Sequence, residues 1–127
     1  MNVKKILCPQ RIRRVPAQFS WVDHRLVREK YIRGCGPEAL ALYLLLVTVG
    51  DAEGLSYYSD ATAGRLISLK EPAVACARRE LIEAELIAYQ RPLYQVLSLD
   101  KPEGISPRRG EAVSIDEVLR GLSGGEQ

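Results

Sequence analysis

Cysteine and histidine are scarce in this 127-residue chain, and long apolar runs are absent; each shortage removes a class of function. Cys8, Cys35 and Cys76 are widely spaced with no C-x-x-C pair, and His24 is the only histidine. Structural zinc sites draw four Cys or His ligands at short spacings, so no metal site is expected. The thiols read as reduced, with at least one in the core. No stretch reaches the roughly 18 apolar residues of a membrane span. The longest run, Ala39 to Val49, is about three helical turns and reads as a core helix. Ile6-Leu7-Cys8 is too short an apolar block for a signal peptide, so a cytoplasmic protein is the expectation.

Catalytic signatures are missing too. Gly34-x-Gly36 is a break between helices, not a phosphate loop. Asp23 and His24 are adjacent, and neighbours on a helix point different ways. A thiol nucleophile working with His24, Cys76 being the better placed one, has no other residue to support it. The expectation is a protein that is not an enzyme and takes no cofactor.

What is present is an uneven charge. Residues 1–33 hold nine Lys/Arg against Asp23 and Glu29, a net +7. Residues 34–99 hold five against eight, a net −3, and residues 100–127 hold four against six, a net −2. A near-neutral total of +2 thus hides a basic N-terminal third. Such asymmetry points to nucleic acid or an acidic partner, although a solvated face carries the same residues.

The apolar periodicity divides the chain into a basic extended arm (1–19), a folded domain (20–99) and a linker with a short C-terminal helix or tail (100–127). Pro9 and Pro16 keep the arm out of long helix. Ser20, followed three residues later by Asp23, has capping-box spacing and predicts a leading helix over 21–33, with Leu26 and Val27 inward. Pro37 opens a second helix, apolar on nearly all sides, which Gly50 stops. Leu55 to Tyr58 alternates like a short strand. Ser59 caps a helix over about 60–67, within which Gly64 costs roughly 1 kcal/mol relative to Ala. Ser68 and Glu71 have capping-box spacing for a further helix ending near Glu85, with Val74, Ala77 and Leu81 on one face. Leu86 to Tyr89 and Leu93 to Leu99 read as strands joined by a turn at Gln90-Arg91-Pro92. After Ser114, Ile115, Val118, Leu119 and Leu122 have amphipathic spacing.

The order helix, strand, helix, turn, helix, hairpin describes a mainly α fold with a small β wing, an α+β class. It resembles the winged helix-turn-helix proteins of the bacterial regulator, replication-initiator or mobile-element-associated type. The resemblance rests on Val74-x-x-Ala77-x-x-x-Leu81 followed by Leu86-Ile87, and on the apolar run Ala39 to Leu45. It covers residues 37–99, about half the chain. Glu85 and Ser68 stand where that pattern has glycine, and Arg78 where it is often apolar.

The resemblance implies double-stranded DNA as partner, with the second helix of the pair in the major groove. Lys70, Arg78 and Arg79 are then the side chains able to read bases, and Glu80, Glu83 and Glu85 sit where they repel phosphate. Arg91 at the wing tip, and Tyr58 and Ser59 at a helix start, are placed for the DNA backbone. Arg11, Arg13, Arg14, Arg25 and Arg28 add phosphate contacts from the basic third. The rival expectation is a protein-interaction or dimerisation module. Phe19, Trp21 and Tyr31 are then interface anchors in a homodimer; burial against the domain is the commoner fate of a lone tryptophan.

Overall fold

A computed structural model describes residues 3–101 of the chain. Residues 3–20 are exposed throughout and extended apart from a single 3-10 turn at Pro9–Arg11. Four helices follow, α1 (Arg25–Arg28), α2 (Pro37–Val49), α3 (Asp60–Ile67) and α4 (Glu71–Glu83). Three short strands, β1 (Leu55–Tyr57), β2 (Ile87–Gln90) and β3 (Leu93–Val96), complete an α+β fold. No helix among the described residues is long and apolar enough to cross a membrane. The C-terminal amphipathic stretch lies outside the described residues.

The leading helix is far shorter than the expected 21–33. Ser20 does not cap it; its hydroxyl donates instead to the Thr48 carbonyl at 3.1 Å. His24 is the N-cap residue without a side-chain cap, and the Asp23 carboxylate just before it accepts the Arg25 N–H at 2.9 Å. Lys30 then adopts a left-handed backbone (φ 63°), which ends the helical path well before Gly34. Val27 points outward at 70% exposure, and only Leu26 turns into the core. Trp21 is 76% exposed rather than buried against the domain.

The second helix matches its pattern in extent but not in burial. Pro37 occupies its first turn, and Ala39, Leu42 and Leu46 form the buried face. Leu44 lies open at 63% exposure, so α2 is not covered on all sides. At its start, the Gly36 N–H donates to Glu80 of α4 at 2.9 Å. Glu80 therefore ties two helices together instead of facing an outside phosphate.

Helices α3 and α4 are joined by a turn that the capping-box expectation misreads. Ser68 sits in the left-handed region (φ 61°, ψ 43°), terminating α3, and no side chain caps α4. The Leu69 N–H returns to the Gly64 carbonyl at 2.9 Å. A Cβ at position 64 would stand 2.4 Å from the Leu69 carbonyl oxygen. Gly64 is thus a requirement of close backbone approach, which outweighs its poor helix propensity. Val74, Ala77 and Leu81 of α4 are fully buried, as the spacing predicts. That helix ends at Glu83, and Glu85 takes the left-handed backbone (φ 61°) that glycine would adopt with less strain.

The strands form one antiparallel sheet in the order β1-β3-β2. Gln90 pairs with Leu93 across a two-residue loop, Arg91-Pro92, and Leu55 pairs with Gln95. Gly54 (φ 82°) leads into β1, its carbonyl accepting the Val96 N–H at 2.9 Å; a Cβ there would meet the Val96 oxygen at 2.7 Å. Strand β3 stops at Val96, shorter than expected, although Leu99 beyond it is buried. Tyr94, Leu86 and Ile87 join Leu42, Leu46, Val74 and Leu81 in one core. Each large aliphatic side chain hidden there contributes about 1.5–3 kcal/mol by leaving water.

Candidate nucleic-acid interface

The face that the sequence marks for DNA is built from the α3–turn–α4 unit and the β2–β3 hairpin. Burial of Val74, Ala77 and Leu81 fixes the rotation of α4 and leaves Pro72, Cys76, Arg79 and Glu83 exposed on its far side. Lys70 is exposed at the N-cap position of α4, and Arg91 at the tip of the hairpin. A shallow open groove of about 680 Å³ runs over the turn, with Arg65 and Lys70 among its lining residues. Arg65 is not among the residues that the sequence pattern marks. Its signal was available: Ala63 and Ile67 turn inward on α3, which leaves position 65 outward.

Two of the expected DNA contacts are occupied within the fold. Arg78 turns inward: its guanidinium donates to Asp60 at 2.6 Å and to the Tyr94 hydroxyl at 2.9 Å. It also lies 4.3 Å from the centre of the Tyr89 ring, a cation–π contact. Tyr89 and Tyr94 pack at 4.6 Å between ring centres. Burial works against the Arg78 charge, but its hydrogen bonds to Asp60 and Tyr94 outweigh it and hold the guanidinium more firmly protonated than usual. Burial likewise pushes the Tyr94 phenol upward. Arg78 is therefore a strut joining α3, α4 and the sheet, which the i, i+4 logic of an exposed helix does not reveal.

Arg25 is the second. It donates to Asp23 at 2.8 Å and to Asp100 at 2.6 Å, so it closes the chain from α1 to the segment after β3. Its hydrogen bonds to Asp100 and Asp23 raise its proton affinity, and the same contacts lower both carboxylates below their ordinary range.

The remaining expected residues are distributed unevenly. The Ser59 hydroxyl accepts the Thr62 N–H at 3.1 Å, so its role in the structure is to cap α3. Tyr58 is half-buried against the core, with its N–H donating to the Pro92 carbonyl at 3.2 Å. Arg11, Arg13, Arg14 and Arg28 are exposed, all outside the helix pair. The structure thus leaves Lys70, Arg79 and Arg91 exposed on the domain, adds Arg65, and keeps most free positive charge on the N-terminal third. Among the described residues, no three His, Cys, Asp or Glu side chains gather as a metal site would need. Comparison with family models, with characterised proteins and with solved structures finds no match.

Proposed function

We propose that this chain is a winged helix-turn-helix protein that binds double-stranded DNA, in transcription control or in replication or mobile-element transactions. One observation carries the reading: three helices and a three-stranded sheet follow in the order α2, β1, α3, α4, β2, β3, with β3 central. In that arrangement α4 is the helix offered to the major groove and the hairpin is the wing. Arg79 is the one base-reading side chain exposed on the outer face of α4, while Lys70, Arg65 and Arg91 suit phosphates. Residues 34–99 carry a net −3, so the +7 of residues 1–33 supplies most of the attraction. The protein is then a shape-supplying domain with an electrostatic arm.

Fluorescence anisotropy with duplex DNA across a salt series tests this. Binding is expected to weaken steeply with salt. Replacing Arg11, Arg13 and Arg14 together by Gln lowers the slope of log K against log salt by up to about 2.7, at about 0.9 per lost phosphate contact. Arg79→Ala weakens binding as well. No binding at low salt removes the proposal.

A second reading is a homodimer or partner complex made through residues 1–33 or 105–122; the first segment is favoured by the exposure of Phe19 (66%) and Trp21 (76%). Aromatic anchors of this kind are where interface energy concentrates. A purified chain that sediments as a monomer, alone and with cell extract, removes that reading.

A further inference from the structure

The open side of α2 is not bare helix. With the α1 segment it forms an apolar groove of about 430 Å³, walled by Val22, Leu26 and Val27 on one side and Leu40, Leu44 and Val47 on the other. Val22, Val27 and Leu44 are each more than half exposed, so this groove leaves in water a concentration of apolar surface that an isolated domain ordinarily hides. We propose that residues 114–122 of the same chain seat in it, with Ile115, Val118, Leu119 and Leu122 filling the groove.

Three observations select this occupant. The first is where the described chain leads. Asp100 is held by Arg25, the first residue of α1, and Arg25 also holds Asp23 on the groove wall. The chain therefore leaves the domain one guanidinium away from the groove. Residues 102–113 then span at most about 40 Å when fully extended, far more than the short path requires. A tether of that length gives the segment an effective concentration on the order of millimolar at the groove. The second is shape: residues 115, 118, 119 and 122 share one face at helical spacing, as a helix laid in an apolar groove requires. The third is charge. Residues 102–127 carry a net −2; of the charged side chains lining the groove, Asp23 is already held by Arg25, which leaves Arg28 to meet an acidic segment.

Paramagnetic relaxation in the full-length chain tests the seat. Cys8→Ser, Cys35→Ala and Cys76→Ser remove the native thiols, and Gly124→Cys carries a nitroxide. Amide signals of Val27, Leu44 and Val47 are expected to lose most of their intensity, while those of Arg79 and Arg91 keep theirs. Leu119→Asp in the labelled chain restores the lost signals. Uniformly weak broadening, or none, overturns the proposal. The same broadening in a mixture of a spin-labelled chain without nitrogen-15 and an unlabelled nitrogen-15 chain also overturns it, in favour of a second copy.

Discussion

Arg78 and Asp60, eighteen residues apart, meet at 2.6 Å with side chains only 15% and 28% exposed, so the middle of α4 is pinned to the first turn of α3. The same guanidinium reaches Tyr94 in β3. One side chain thereby sets the position of α4 against both the preceding helix and the sheet. A hydrogen bond to a charged group in such a setting stabilises by about 1.5–3 kcal/mol. Arg78→Ala is expected to lower the free energy of unfolding in urea by roughly that amount. Arg78→Lys keeps the charge but loses the fork that spans Asp60 and Tyr94, and recovers only part. A double-mutant cycle with Asp60→Asn should show that the two losses do not add. Additive losses would mean that the contact carries no energy of its own.

Gly64→Ala separates helix propensity from packing. Propensity alone favours the alanine by about 1 kcal/mol. The added methyl would lie 2.4 Å from the Leu69 carbonyl oxygen, which is backbone and cannot swing aside. Overpacking of this kind costs about 1–3 kcal/mol, so a net loss of stability is expected, read as a lower urea midpoint. An unchanged or raised midpoint would show that the α3–α4 turn shifts without strain.

Ser56 is opposite Tyr94 in the sheet, and its hydroxyl is buried without a partner among the described residues. An unpaired buried polar group is a net loss to the folded state. Ser56→Ala is therefore expected to be neutral or to stabilise by up to about 1 kcal/mol, whereas most buried substitutions destabilise. Thermal unfolding in a calorimeter reads the difference directly.

The Arg25 clasp has a pH signature. Hydrogen bonds from Arg25 lower the pKa values of Asp23 and Asp100 relative to the unfolded chain. Depressed carboxylates contribute stability above their unfolded pKa, and the contribution disappears as pH falls through the folded values. Carbon-detected titration of the two carboxyl groups should place both midpoints below the ordinary aspartate range, and Arg25→Gln should return both to it. Asp100 is solvent-exposed and Asp23 partly so, which screens the pair, so the stability change is small and the midpoints are the sensitive readout.

The order of elements from Pro37 to Val96 was legible because each boundary is written locally. Pro37 and Gly50 bracket α2, Ser59 caps α3, and Val74, Ala77 and Leu81 repeat at helical spacing. What escaped was written across distance or in backbone angles. Glu80 reaches Gly36, and Arg78 reaches Asp60, through contacts that no spacing rule contains. Ser68 and Lys30 adopt positive φ without being glycine, so Ser68 ends α3 where its spacing predicts a cap for α4, and Lys30 stops the leading helix short of its expected end. The candidate interface divided in the same way. Exposed Lys70, Arg79 and Arg91 follow from periodicity and turn position. The inward turn of Arg78 depends on a carboxylate and two tyrosines that only the folded chain assembles.

The three cysteines give the protein a ready-made ruler. Cys8 lies exposed in the arm and Cys76 exposed on the outer face of α4, while Cys35 is half-buried, and burial pushes its thiol pKa upward. A thiol reagent at neutral pH will thus mark the two ends of interest and react slowly with the third. A pair of probes at positions 8 and 76 reads the separation of arm and helix in the native sequence, before and after any partner arrives.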